Sequence, residues 1–136
     1  MKGKFLTAFV LVFAISIVSL PLLAHHGNAA YDDTRSVTLK GNVTQWGWAN
    51  PHCILQLDVT DDSGQVVPWV VETENPTSMT NIGWTKTSFK PGDQVTVTAL
   101  PAKNGKHIGR IVEVLLPSGQ KLSGKAQPRS DDSSKK

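Results

Sequence analysis

The chain of 136 residues has a single cysteine, Cys53, and therefore cannot form an internal disulfide. A lone cysteine in an oxidising compartment is buried, paired with another chain or reactive. Burial is the commonest of these states for a free cysteine, which packs as a small apolar side chain. We therefore expect Cys53 in the hydrophobic core.

Motifs that mark common enzyme classes are missing as well. The sequence has no Gly-x-Ser-x-Gly nucleophile elbow, no phosphate-binding glycine loop, no Cys-x-x-Cys pair and no His-Glu-x-x-His. Glu72 and Glu74 share one face of a predicted strand and are formally an acid–base pair, but we interpret them as part of a solvated strand face. The sequence names no reaction, and we expect a protein that is not an enzyme.

Positive charge is concentrated outside the central region. The net charge is +3, but Lys2 and Lys4 belong to the first residues, and no acidic residue occurs before Ala24. Removing residues 1–24 would therefore lower the net charge to +1, and the remaining excess of positive charge lies in the C-terminal tail, at Lys125, Arg129, Lys135 and Lys136. Because the central region has no basic stripe, we expect no nucleic-acid partner.

Residues 1–24 have the pattern of a secretory signal. Two lysines precede an uncharged apolar run from Phe5 to Leu23, and Ala24 offers a small residue for cleavage. The alternative is an uncleaved membrane anchor, because the run is nearly long enough to span a bilayer. We expect a periplasmic or secreted protein that keeps no membrane span after cleavage.

The cleavage position decides which residue starts the mature chain. Cleavage after Ala24 would make His25 the N-terminal residue. A competing cut after Ala29 would remove both His25 and His26. We favour Ala24, because it closes the apolar run.

Alternating apolar and polar residues predict a first half-buried strand over residues 37–43. Gly41 in its interior indicates a bulge or a sharp bend. Continued alternation would put Trp46 and Trp48 on the polar face. Either a bulge near Gly47 reverses the two faces, or two tryptophans line an outer surface.

A second strand is predicted from Cys53, after the bend at Asn50-Pro51. Neighbours on a strand point to opposite faces, so Cys53 is expected to face the core and His52 to point outward. These two residues are therefore not expected to bind one ion. A third strand is predicted over residues 67–74, with Pro68 at an edge or a bulge.

A short helix is predicted after the third strand. Asn75 is the expected N-cap, Pro76 the first helical residue and Gly83 the residue that ends the helix. A further helical turn is predicted over residues 85–89. Three apolar residues are expected to close one end of the barrel: Met79, Ile82 and Trp84.

Turn residues divide the rest of the chain into short strands. Residues 90–93 (Lys-Pro-Gly-Asp) and 104–105 (Asn-Gly) predict tight turns. The expected strands are residues 95–99, 109–116 and 120–122. Residues 123–136 are rich in Gly, Lys, Ser, Asp and Pro and are expected to be disordered.

The predicted fold class is all-β with one short helix. Three strands, a helix, two strands and a small hairpin match a five- to six-stranded barrel of the oligonucleotide/oligosaccharide-binding (OB) type. The alternative is a small open β-sandwich. The expected organisation is a signal peptide (1–24), a lead-in (25–35), one monomeric barrel domain (36–122) and the tail (123–136).

Seven short motifs occur along the chain in this order: His25-His26, Gly41-Asn42-Val43-Thr44, Trp48-Ala49-Asn50-Pro51-His52, Trp69-Val70-Val71-Glu72, Gly83-Trp84, Lys90-Pro91-Gly92-Asp93 and a late Ser-Gly-x-x-Leu turn. Their order and spacing resemble the small exported bacterial proteins of domain-of-unknown-function family 6152. The resemblance covers nearly all of residues 25–122 and implies an exported β-rich domain without an established activity. The chain departs from common members at Gly27-Asn28 and at Cys53.

Three histidines predict a metal site. If cleavage follows Ala24, the terminal amine and the ring of His25 form a chelating pair. A third nitrogen from His26 or His52 would complete an all-nitrogen site, which suits Cu(II), whereas zinc would need a fourth ligand. The alternative is that no cofactor is bound, with a loose N-terminus and with His52 as an outward residue that has a hydrogen-bonded partner.

Trp46 and Trp48 lie near His52 in the sequence and predict a second kind of site. Together they would form an aromatic platform for a sugar, a base or a peptide, on a face that OB barrels use for ligands. Half-buried core tryptophans are the alternative. Two functions therefore stay open: an exported barrel that binds a small ligand or copper, and a cell-envelope module that binds a protein or glycan.

Overall fold

The structure is a computed structural model that describes residues 28–129. After a short 3-10 helix (Asn28–Ala30), it contains six strands and one α-helix. In chain order these are β1 (Val37–Gly47), β2 (Ile54–Thr60), β3 (Val66–Glu72), α1 (Pro76–Thr80), β4 (Gln94–Pro101), β5 (Ile108–Leu115) and β6 (Lys121–Ser123). The six strands and the α-helix follow one another in the expected order.

The long first strand belongs to both sides of the barrel. The first half of β1 pairs with β4, and the second half pairs with β2, both antiparallel. Gly41 lies where the two pairings overlap, opposite Val59 and Val95. A Cβ atom at this position would stand 2.6 Å from the carbonyl oxygen of Asp58, so only glycine permits the close approach of β2. The bend expected at Gly41 is therefore present.

A parallel pairing closes the sheet into a barrel. The strand order is β3-β2-β1-β4-β5-β6, and β3 also pairs with β5. This contact begins at Val70 opposite Ile108 and ends at Glu72 opposite Arg110. Pro68 precedes it and occupies an edge, as expected for a residue without an N–H group. The closed five-stranded barrel with one extra strand and one short helix confirms the predicted fold class, and the open sandwich is set aside.

The barrel interior is filled by the alternate residues that the sequence pattern assigns to it. On β2 and just before it, exposure is 0% for Cys53 and Leu55, 1% for Leu57 and 8% for Val59. On β5, Ile111 takes the inward position and is fully buried. The main core also contains, among others, Leu39, Val43, Val71, Met79, Trp84, Phe89, Val95, Val97, Ala99, Val114 and Leu122.

The two faces of β1 are exchanged by a bulge, but not at Gly47. The register with β2 slips between Val43 and Gln45, which leaves Thr44 without a partner. One extra residue reverses the alternation, so Trp46 lies opposite the core residue Leu55. The expectation of a reversal was right, and its expected position was wrong by three residues.

The helix begins as predicted and ends early. Asn75 caps α1, and its side-chain oxygen accepts a hydrogen bond from the Ser78 amide at 3.0 Å. The helix stops at Thr80, and Gly83, with φ +94°, belongs to the following turn. Because of this early end, Ile82 is 37% exposed rather than part of the barrel plug.

Residues 85–89 form a turn and not a second helical turn. The Ser88 hydroxyl accepts a hydrogen bond from the Thr85 amide at 2.8 Å, and the Thr85 hydroxyl accepts one from the Thr87 amide at 3.2 Å. Short polar side chains thus satisfy amides that helical carbonyls would otherwise use. The expected helix is replaced by a local network of side-chain contacts.

The chain after β6 continues along the barrel up to the last described residue, Arg129. The Gly124 amide donates to the Val112 carbonyl at 2.7 Å, and Ala126 is only 7% exposed. A Cβ atom at Gly124 would lie 2.1 Å from the Ile111 carbonyl oxygen. This described part departs from the disorder expected from residue 123, because small residues let it pack closely. Residues 130–136 lie outside the described range.

Within residues 28–129, no helix is both long and apolar enough to cross a membrane. The apolar run of residues 5–23 precedes the first described residue. The signal peptide and the export that follows from it therefore stay predictions.

Candidate functional site

His52 stands at the entrance to β2, after the loop that contains the Asn50–Pro51 bend. Main-chain hydrogen bonds of Cys53 with Thr73 and Glu74, each 3.0 Å, extend the pairing of β2 and β3 beyond the strand ends. This ladder fixes the orientation of both neighbours. The Cys53 side chain is fully buried, whereas that of His52 points outward and is 33% exposed. They face opposite sides, as the alternation predicts.

A carboxylate holds the imidazole of His52. The Nδ1 atom of His52 lies 3.2 Å from Oε2 of Glu72, the last residue of β3. Among residues 28–129, the other ring nitrogen, Nε2, has no hydrogen-bond partner. The outward histidine therefore has one engaged nitrogen and one free nitrogen.

Glu72 is held in turn by a buried arginine. Nη1 of Arg110 donates to Oε1 of Glu72 at 3.2 Å, and Nη2 donates to the carboxylate of Glu74. The Arg110 side chain is only 7% exposed, and its Nε atom is buried without a hydrogen-bond partner in the described structure. The carboxylates of Glu72 and Glu74 thus bind one guanidinium group. The strand face that they share is therefore not simply exposed to solvent.

Arg110 is the residue of this site that sequence reasoning overlooked. It is brought to Glu72 by the parallel pairing that closes the barrel. The available signal was an arginine directly before Ile111, within a strand expected to have an apolar inner face. A charged residue at such a place is rarely buried unless it is paired.

The N-terminal segment, which contains Tyr31, lines a cleft together with His52 and Glu72. Tyr31 is 6% exposed, and hydrogen bonds of its neighbours tie it to the turn after β4. These are Asp32 N to Pro101 O at 2.9 Å and Lys103 N to Ala30 O at 3.0 Å. Burial raises the pKa of the Tyr31 hydroxyl, and the adjacent Glu72 carboxylate raises it further. Tyr31 therefore stays protonated beside Glu72.

Two clefts meet at His52 and Glu72, which line both of them. The larger, of about 360 Å³, is otherwise lined by Ala30, Tyr31, Ala102, Asn104 and Ile108. The smaller, of about 270 Å³, is otherwise lined by Gln45, Gly47, Ala49, Asn50, Pro51, Ile54 and Gln56. The imidazole and carboxylate thus form the wall between a cleft at the N-terminal segment and a cleft on the outer face of β1 and β2.

The predicted metal ligands are divided by the limits of the described chain. His25 and His26 lie outside residues 28–129, whereas His52 lies inside. Within the described range, no three or more His, Cys, Asp or Glu side chains form a group that could hold a metal ion. His52 is therefore one candidate ligand, and any complete site of the predicted kind needs the N-terminal histidines.

The two tryptophans of the predicted aromatic platform are partly buried against the core. The ring of Trp46 lies 5.7 Å from those of Trp48 and Trp84 and 5.0 Å from that of Phe89. Its Nε1 donates to the Thr85 carbonyl at 3.2 Å. Neither Trp46 nor Trp48 lines the clefts at His52. The structure joins the two tryptophans to each other and to the barrel end, but not to His52.

Comparison with known proteins gives a family and no activity. No curated protein and no solved structure matches the chain. Residues 14–111, more than half of the chain, match a family described as a family of unknown function, DUF6152. The motifs on which the resemblance was based fall largely within this range. The chain belongs to the DUF6152 family.

Proposed function

We propose that the protein is an exported β-barrel protein that binds Cu(II) through His52 together with His25 and His26. The observation that supports this proposal is the contact of His52 Nδ1 with the Glu72 carboxylate at 3.2 Å. Histidines that bind metals almost always donate their second ring N–H group to a carboxylate, a carbonyl or water. His52 has this arrangement on an outward-facing, partly exposed ring.

The N-terminal histidines are tethered close to the cleft at His52. His25 precedes Ala30 by five positions, which is at most about 17 Å of extended chain, and the 3-10 helix at Asn28–Ala30 shortens that span. Ala30 lines the same cleft as His52, and that cleft has a volume of about 360 Å³. Because Tyr31 and His52 line the same cleft, the residues that precede Tyr31 leave the barrel at this cleft.

The donor set favours copper among the common divalent ions. Cleavage after Ala24 would create a terminal amine on His25, and two or three imidazole nitrogens would join it. Nitrogen donors in a planar or T-shaped arrangement suit Cu(II), which also has the highest affinity of the first-row divalent ions for such ligands. The terminal amine of His25 can bind the metal only after the signal peptide has been removed. The proposed site therefore requires export.

The first experiment is the intact mass of the protein taken from the cell envelope, recorded under native conditions with and without one equivalent of Cu(II). We expect a chain that begins at His25 and retains one copper ion. A chain that begins at Ala30, or a chain from His25 that retains no copper, contradicts the proposal.

Variants then identify the ligands. His52→Ala should weaken Cu(II) binding by at least ~10-fold, a loss of the size seen when a metal site is perturbed. An extra residue in front of His25 should have a comparable effect, because it blocks the amine. His107→Ala is the matched control, since His107 is exposed and its ring stacks on Trp69 at 5.1 Å. Equal losses in His52→Ala and His107→Ala contradict the assignment.

The alternative function is a cell-envelope module that binds a protein or glycan through Trp46 and Trp48. It is favoured by the partial exposure of Trp48 beside the packed ring of Trp46. This alternative predicts that His52→Ala leaves retention in the envelope fraction unchanged and that Trp48→Ala reduces it. The two sets of variants therefore separate the two functions.

A further inference from the structure

The contact between His52 and Glu72 is supported by Arg110, which lies on β5, the strand that pairs with β3 to close the barrel. Glu72 receives hydrogen bonds on both of its oxygens, with Arg110 Nη1 on Oε1 and His52 Nδ1 on Oε2, each at 3.2 Å. The guanidinium group of Arg110 also holds the carboxylate of Glu74 and contacts the Thr73 carbonyl at 3.5 Å. The orientation of Glu72 is thus determined by a buried group on another strand.

The chemistry of the partners determines where the imidazole proton lies. An ionised carboxylate only accepts hydrogen bonds, so the 3.2 Å contact with Oε2 of Glu72 places a proton on Nδ1 of His52. A neutral imidazole with its proton on Nδ1 has its lone pair on Nε2. Arg110 holds Oε1 of Glu72 and leaves Oε2 to the imidazole.

We propose that Arg110 is a positioning residue that acts through Glu72 to hold His52 in the Nδ1–H tautomer, with Nε2 available to a metal ion. This inference rests on the proposed metal-binding function. It adds that Glu72 stays outside the coordination sphere, because Arg110 and His52 already bond its two carboxylate oxygens. The site then offers nitrogen donors and excludes the Glu72 carboxylate, a type of ligand that zinc and harder cations accept readily.

The deciding measurement is ¹⁵N NMR of the two ring nitrogens of His52 in the metal-free protein, at a pH where the imidazole is neutral. We expect the Nδ1–H tautomer to dominate in the wild type. Glu72→Gln keeps the shape of the side chain but gives it a donor as well as an acceptor, so the Nε2–H tautomer should become a major population. An Nε2–H ring in the wild type, or an unchanged ring in Glu72→Gln, overturns the inference.

Glu74→Gln is the matched control for this measurement. Glu74 contacts the same guanidinium group, but it makes no contact with His52. The variant should leave the His52 tautomer unchanged, whereas a nonspecific loosening of the strand ends would alter it in both variants. Equal changes in Glu72→Gln and Glu74→Gln therefore also overturn the inference.

Substitution of Arg110 itself tests the exclusion of carboxylates. Arg110→Lys keeps the charge but loses the planar fork that spans two carboxylates, and it is less disruptive than a neutral residue at this buried place. We expect the ratio of Cu(II) to Zn(II) affinity to fall by at least ~10-fold as Glu72 becomes available. An unchanged ratio in a folded Arg110→Lys protein overturns the inference.

The outcomes distinguish this inference from the proposed function. The tautomer of His52 is measured in the metal-free protein, so the result does not depend on whether the protein binds copper. Copper binding with an Nε2–H ring in the metal-free protein supports the function and overturns the positioning role. A dominant Nδ1–H ring without copper binding supports the positioning role and contradicts the function.

Discussion

The indole Nε1 of Trp84 donates a hydrogen bond to the main-chain carbonyl of Ser123 at 2.7 Å. The Trp84 side chain is fully buried. This bond joins the loop after α1 to the last residue of β6. Close by, the Thr73 hydroxyl donates to the Gly124 carbonyl at 2.8 Å, so the segment after β6 is held by two buried donors.

Trp84→Phe should lower the free energy of unfolding by about 1–3 kcal/mol, because the Ser123 carbonyl loses its donor and the smaller ring underfills the buried site of the indole. Urea denaturation monitored by circular dichroism measures the loss. Trp46→Phe is the matched control, since its Nε1 donates to the Thr85 carbonyl at an exposed site. We expect the control to lose less than about 1 kcal/mol, and a larger loss in the control than in Trp84→Phe would contradict the prediction.

Gly41→Ala should destabilise the barrel by about 2 kcal/mol or more, since the new methyl group would overlap the Asp58 carbonyl. Gly47→Ala, on the same strand, is the control. Its Cβ atom would stand 3.5 Å from the Ile54 carbonyl, which is an ordinary contact. We expect Gly47→Ala to change stability by less than about 1 kcal/mol. Thermal unfolding of the two variants side by side tests whether close approach, and not glycine in general, is required.

Tyr31, the only tyrosine, should not ionise near pH 10 in the folded protein, because burial and then Glu72 raise its pKa. The unfolded chain loses this proton near pH 10 and the folded chain keeps it. The contribution of Tyr31 to stability is therefore fully present below about pH 10 and decreases as the pH rises above it.

Absorbance at the phenolate band gives the titration of Tyr31 in native and denatured protein. Unfolding of Tyr31→Phe across the same pH range provides the control, because the contribution of this group is absent there. A native transition near pH 10 that matches the denatured one would show that the hydroxyl is open to solvent.

Cys53 should be unreactive in the native protein. Its side chain is fully buried, and burial raises the pKa of its thiol, which lowers the thiolate fraction. We expect a thiol reagent to modify Cys53 only after denaturant is added, and a non-reducing gel to show no cross-linked dimer. Rapid modification of native protein would indicate local opening at the start of β2.

Local patterns in the sequence determined most of the architecture. Period-two alternation placed Cys53 and the apolar residues of β2 in the core, and Asn75-Pro76 set the start of α1. Gly41 marked the bend that lets β1 serve both sides of the barrel. Each of these features depends on residues that are neighbours in the chain, so the pattern alone was sufficient.

Errors occurred where distant segments compete with local preference. The bulge at Thr44 lies before the expected position, and the helical turn expected over residues 85–89 is replaced by a turn whose amides bond to the Thr85 and Ser88 hydroxyls. The described part of the tail packs on β5 because Gly124 fits against the Ile111 carbonyl. The small, polar residues of this segment predicted disorder. The structure shows instead that they pack against the surface of the barrel.

Both the sequence and the tertiary structure were needed to define the candidate site. The sequence by itself identified His52 as an outward histidine at a strand entrance and named His25 and His26 as its possible partners. Only the tertiary structure showed that Glu72 and Arg110, 38 residues apart, meet beside it. That meeting arises from the parallel pairing of β3 and β5, and a local pattern contains no information about which distant strand closes a barrel.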